Sequence, residues 1–276
     1  MIRAVVVLFA LAFVHPVLAQ TAPPATVKLQ AAKPASAKPA PMKPNTGANS
    51  AATDTSQHGP CIGVIPHIGD RMEVQNIGLT VFNNTFSEVP IESWGLDDLV
   101  VARVRAAVGT RFAVRRIPYG NSAFDPYDHP PSTLFRIAAN DLKGVVQAVT
   151  RGSGCVRYVV VVKGVSVYGD THSMLKGMGV VNRGNPLFGN KTFLYALSAI
   201  SVFDGHTFEA LQNGAGTSGE DIATRLLGMN PVHGPSRELK DFPWPPPPEK
   251  LTSLRDQVRA LLAESLDKAL PEMLAK

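Results

Sequence analysis

The chain has 276 residues, 45% hydrophobic, 18% charged and 7% aromatic, with a formal charge of +5. Ordinary soluble domains carry roughly 45–50% apolar and about 25% charged residues, so this composition excludes a wholly disordered chain. Gly and Pro, 23 of each, are too few for a collagen-like or low-complexity protein.

Residues 1–19 read as a secretory leader. Arg3 supplies the positive start, and Ala4 to Val14 is an unbroken apolar run. His15 and Pro16 end it, and small residues at Val17 and Ala19 predict cleavage after Ala19. The run is half of the ~20 apolar residues that cross a bilayer, and no later segment is apolar enough to span one. The expected location is therefore periplasmic or secreted.

Residues 20–59 form an Ala/Pro/Lys-rich segment with a loose repeat, AAKPASAKPAPMKP. Lacking aromatic residues, it cannot bury enough surface to offset its ordering entropy, so a disordered linker is expected. It also holds most of the charge. Arg3 carries one of the five net charges, and Lys28, Lys33, Lys38 and Lys43 against Asp54 carry three, leaving +1 on residues 60–276. A nearly neutral remainder lacks the basic stripe that phosphate neutralisation needs, which excludes nucleic acid as a partner. The lysines suit weak, salt-sensitive attachment to an anionic cell-wall polymer.

Residues 60–242 carry an alternation of strands and helices. Cys61 to Ile68 and Val74 to Asn83 are strand candidates. Ser93 or Asp97 can cap a helix ending at Val108, before Gly109. Its Leu96, Val100, Val104 and Val108 recur every fourth residue, one helical face. Phe112 to Pro118 is a third strand, 118–133 a turn-rich loop, and Asp141 to Arg151 a second helix. Tyr158 to Val167, dense in Val, suits a strand covered on both faces. Gly169 to Asn190 reads as a flexible Gly-rich loop. Asp204-Gly205 between Phe193–Phe203 and Thr207–Leu211 is a hairpin signal. Pro243 to Lys250 is a stiff spacer. Leu251 to Leu274 is an amphipathic helix packed on the rest, with Pro271 expected to kink or end it early. The order β-β-α-β-α-β-β-β-α predicts a single α/β domain, a mixed sheet with helices packed on it.

The two cysteines, Cys61 and Cys155, are an even number in an oxidising compartment, and a disulfide between them is expected. Neither lies in a CxxC redox or zinc motif.

The segments GVIPHIGD, WGLDD, RYVVVVKGVSV and ALSAISVFDGHTFEAL together resemble the amino-terminal α/β domain of TolB and the related domain of curli-export and exopolysaccharide accessory lipoproteins. That resemblance covers roughly residues 60–215. It implies an envelope module with no catalytic residues to carry over. The chain departs from the pattern at its turn, where Asp204 to Glu209 lacks the family's Gly, and it lacks the lipid-anchor Cys and propeller repeats.

Two functional readings follow. The first is a non-enzymatic, envelope-associated binding or scaffold module. Its partner would be an envelope protein or polymer, met through Met174, Leu175, Met178, Leu187 and Phe188 in the Gly-rich loop, since Met adapts to varied surfaces. The alternative is a metal-dependent hydrolase. Three Asp/His pairs, His67 with Asp70, Asp170 with His172, and Asp204 with His206, offer carboxylate and imidazole together. Ser166 lacks the strand–helix elbow of a serine nucleophile, as does Ser218. The chain carries neither G-x-G-x-x-G nor a phosphate loop, so no cofactor is expected.

Overall fold

A computed structural model describes residues 60–78, 80–130, 136–169, 171–185, 189–216 and 231–275. The leader at 1–19 and the linker at 20–59 lie outside these residues, as do Asp170, Leu187 and Phe188.

Two five-stranded sheets and one hairpin carry the fold. The strands are β1 (Cys61–His67), β2 (Arg71–Ile77), β3 (Thr85–Pro90), β4 (Ala113–Arg116), β5 (Arg157–Lys163), β6 (Val165–Val167), β7 (Met174–Lys176), β8 (Met178–Asn185), β9 (Gly189–Ala196), β10 (Ser198–Asp204), β11 (Ala210–Ala215) and β12 (Ser236–Glu238). The helices are α1 (Leu96–Val108), α2 (Asp125–Asp128), α3 (Ala138–Val149), α4 (Pro248–Thr252) and α5 (Arg255–Leu274). The first sheet runs β11-β10-β5-β1-β4 and the second β12-β9-β8-β2-β3. Strands β4, β1 and β5 are parallel, and β10 returns antiparallel on β5. The α/β class with helices packed on mixed sheet is as the sequence implies, but the strands form two sheets and a hairpin where one sheet is expected.

Strand β5 explains its valines. Val159 and Val161 face one layer, with Ile62, Val64, α1 and α5, while Val160 and Val162 face the other, with Ile65 and α3. The first layer continues into the inner face of the second sheet through Met72, Val74, Met178, Val180 and Leu194. One apolar core therefore binds both sheets through α1 and α5. Cys61 and Cys155 are joined, tying the start of β1 to the loop before β5.

Three expectations need correction. The supposed Gly-rich loop is mostly β7, β8 and β9. Strand β8 lies between β2 and β9 and is buried on both faces, so its sequence shows no polar alternation, and its glycines fit close packing. A Cβ on Gly179 would come within 2.2 Å of the Tyr195 hydroxyl oxygen. Strand β3, TFSEVP, went unseen because nearly all its residues are exposed, leaving no buried face to read. Finally, α5 runs past Pro271 to Leu274, because a proline in the last turn sacrifices only one backbone bond there.

Candidate functional site

The chain leaving β1 passes through β2 and β3 before reaching α1 on one face of the first sheet, and β4 leads to α3 on the other. Where neighbouring parallel strands send their chains to opposite faces, a crevice opens beyond their carboxyl ends, and ligands of open α/β sheets bind there. A cleft of about 600 Å³ occupies this position. His67 to Arg71 line it from beyond β1, and Arg116, Tyr119 and Asn121 from the end of β4. Leu96 to Asp98 line it from the start of α1, and Asp125 and Asp128 from α2.

The walls are held by pairing. His67 Nε2 lies 2.7 Å from Asp128 Oδ2, and the imidazole stacks on Phe124 at 3.9 Å between centroids. Lys176 from β7 approaches the other oxygen of Asp128 at 3.3 Å. Burial raises the Asp128 carboxyl, but the His67 hydrogen bond and charge and Lys176 outweigh it and hold it at about 2. Asp70 meets Lys163 at 2.6 Å; burial opposes its charge, and Lys163 more than compensates, leaving it below its ordinary value.

Asp97 accepts hydrogen bonds from the backbone N–H groups of Ile68 at 3.3 Å and Gly69 at 3.1 Å. It therefore fastens the chain leaving β1 onto the first turn of α1. Burial pushes its carboxyl up, against the pull of those amides and of Arg116. Arg116 bridges Asp98 and Asp97. The Tyr119 hydroxyl donates to the Pro66 carbonyl, and burial followed by the Asp97 charge raises it well above ordinary phenols.

Of the six residues expected to hold a metal, His67 and Asp70 line this cleft. Asp204 and His206 do not join them. Asp204 sits level with Arg157 at the start of β5, whereas His67 sits level with Val162 near its end, roughly 17 Å along the strands at ~3.3 Å per residue. Asp204 instead accepts from the backbone N–H of His206 and Thr207 and from the Thr207 hydroxyl, a turn-forming role that depresses its carboxyl. His172 is exposed in the turn between β6 and β7. Among the described residues no group of three His, Cys, Asp or Glu is placed to hold a metal ion.

Of the residues expected to meet a partner, Leu175 and Met178 are fully buried, while Met174 is 61% exposed. The strands that replaced the loop explain the split, since alternate residues of β7 face opposite ways. Met174 pairs across the hairpin with Val167, so these two form an outward apolar face two positions from Lys176. Of the residues that complete the cleft, Asp97 is marked by sequence only as a possible helix cap, and Arg116, Tyr119 and Asp128 carry no functional signal. What marks the region is two acids at the start of a helix and a turn-rich stretch after β4.

No family model matches the chain, and no curated protein matches it. Solved structures similar to it include a DUF330 protein from Xanthomonas campestris, at 10% identity and a TM-score of 0.32 over 78% of this chain and 82% of that one. Another is the LpoB C-terminal domain from Salmonella enterica, at 12% identity and a TM-score of 0.19 over 59% of this chain and 84% of that one. Likenesses at these scores carry no functional conclusion. Among the described residues no helix is long and apolar enough to cross a membrane.

Proposed function

We propose that the chain is an exported, envelope-associated binding or scaffold module, with the cleft beyond β1 and β4 as its ligand site. The observation that carries this reading is the state of the cleft's charges. His67, Asp70, Asp97, Asp128 and Arg116 are each held by a partner fixed in the fold. Such a prearranged set of charges can orient a polar group of a partner at little reorganisation cost. The apolar hairpin face of Val167 and Met174 beside it supplies contact area. Export is supported by the Cys61–Cys155 disulfide, a bond that persists in oxidising compartments, and by the leader-like start.

A hydrolase is the second reading, and one observation favours it: His67 hydrogen-bonded to the half-buried Asp128 carboxylate, an arrangement that orients an imidazole for proton transfer. Site-specific photo-crosslinking from Asn121, at the cleft, separates the two. A discrete envelope adduct in cells that disappears in Arg116→Glu supports binding. Absence of any adduct, together with ester or phosphoester hydrolysis that is lost in His67→Ala, replaces binding with catalysis.

A further inference from the structure

The β6–β7 hairpin is rooted at the cleft by two lysines. Lys163, at the end of β5 and just before β6, meets Asp70 at 2.6 Å, and Lys176, at the end of β7, approaches Asp128 at 3.3 Å. Backbone bonds close the root. The Gly177 N–H donates to the Gly164 carbonyl at 2.9 Å, and the Leu197 N–H donates to the Gly177 carbonyl at 2.8 Å. Glu73 then fastens the hairpin to the second sheet. Its Oε2 accepts from the Lys176 backbone N–H at 3.0 Å, the Tyr195 hydroxyl at 2.9 Å and the Gln75 amide at 2.8 Å. That same amide donates to the Met174 carbonyl at 3.1 Å.

The hairpin's register decides where its faces look. Val165 lies opposite Lys176 and Val167 opposite Met174, so these four side chains share one face, while Leu175 on the other face is fully buried. From the shared face Lys176 reaches Asp128, which lines the cleft. Val165, Val167 and Met174 are 55%, 39% and 61% exposed. They form an apolar shelf that runs into the cleft at Lys176.

The cleft stays negative after its pairings are counted. Six carboxylates line it, those of Asp70, Glu92, Asp97, Asp98, Asp125 and Asp128. Lys163 answers Asp70, Lys176 answers Asp128, and the single Arg116 is shared by Asp97 and Asp98. Arg71, the other guanidinium of the lining, pairs with Glu88 on β3. Glu92 and Asp125 are exposed and enter no ion pair among the described residues. Three negative charges remain in surplus with the His67 and His129 imidazoles neutral, and one with both protonated.

We infer that shelf and cleft together dock an extended polypeptide segment, its alternate apolar side chains on the shelf and a neighbouring Lys or Arg in the cleft. This rests on the cleft being the ligand site. Charge complementarity selects the basic side chain, because a carboxylate or phosphate would meet the surplus negative charge. The shelf selects a polypeptide over a bare amine. Val165 and Val167 stand two residues apart on one face of a strand, about 7 Å, the spacing of alternate side chains in an extended segment. The root lysines, Glu73 and Gln75 hold the shelf in place before a partner arrives, which lowers the ordering cost of binding.

Fluorescence anisotropy with the full protein tests this, using the labelled synthetic peptide Ser-Val-Thr-Val-Thr-Arg-Ser. The peptide is expected to bind. Replacing its Arg by Glu, or both its Val by Ser, should each weaken binding at least about tenfold. In the protein, Glu92→Gln with Asp125→Asn should weaken binding about fivefold, and Val167→Ser with Met174→Ser about tenfold, after circular dichroism confirms folding. Should a variant fail to fold, the three peptides against the unaltered protein decide. Equal binding of all three, no binding of the Arg peptide, or equally tight binding of N-acetyl-arginine amide would overturn the inference. Photo-crosslinking from Asn121 keeps the two readings apart. An envelope adduct in cells together with failure of the peptide overturns the peptide alone and leaves the cleft as a ligand site; failure of both removes the cleft as well.

Discussion

His67 and Asp128 stand 61 positions apart in sequence and 2.7 Å apart in the fold. This contact closes the cleft between the end of β1 and α2, and Lys176 of β7 joins it from the second sheet's side. A carboxylate, an imidazole and an ammonium from three distant segments thus meet at one edge of the site.

The Asp128 carboxyl is held at about 2, below the ~3.9 of an unfolded Asp. A depressed carboxylate contributes stability that is fully present above the unfolded value and is lost as pH falls through the folded one. Acid destabilisation between about pH 4 and pH 2 should therefore be shallower in Asp128→Asn than in the native chain. At neutral pH the variant should be less stable by about 2 kcal/mol. Urea titrations at a series of pH values measure both.

Removing the Cys61–Cys155 bond should be more costly. It closes a loop spanning 94 positions, for which the chain-entropy model gives roughly 4–5 kcal/mol. Chemical denaturation of the oxidised protein and of Cys61→Ser/Cys155→Ser should show a large fall in midpoint with little change in the cleft's ligand preference.

Gly205 offers a local test of the same region. Its N–H donates to the Val156 carbonyl at 2.9 Å, and a Cβ there would come within 1.9 Å of the Cys155 carbonyl oxygen. Gly205→Ala must displace backbone next to the disulfide and should destabilise by about 2 kcal/mol or more. Gly120→Ala, with open space around it, should be nearly neutral; thermal melts of the pair make the comparison.

Helix α5 is integral to the core. Leu266 is fully buried against both sheets' shared layer, whereas Leu211 is 44% exposed. Leu266→Ala should cost about 2–5 kcal/mol and Leu211→Ala under about 0.5. Similar small effects from both would mean that α5 does not pack where it is described.

Helices α1 and α3 are legible because each buries one apolar face at helical spacing, and β1 and β5 because each is a dense apolar run covered on both faces; the apolar run at Phe193–Phe203 reads as one strand but breaks at Leu197 into β9 and β10. The disulfide was legible from cysteine parity and compartment alone. Strand β3 was not, since an exposed edge strand has no buried face to produce a pattern. Strands β7 to β9 were hidden by glycines whose role is close packing against Lys163 and Tyr195, an effect visible only in three dimensions. The cleft fared similarly. His67 and Asp70 were picked out with each other as partners, yet their partners are Asp128 and Lys163, brought in by the parallel crossovers. Short-range Asp/His proximity was a poor guide because Asp204 serves its own turn.

Metal content separates the binding-module reading from a metal-dependent hydrolase most directly. Protein isolated from the envelope fraction without an affinity tag should carry zinc, manganese and iron far below one equivalent, unchanged in His67→Ala. One equivalent of any of them, lost in His67→Ala, would contradict the binding-module reading.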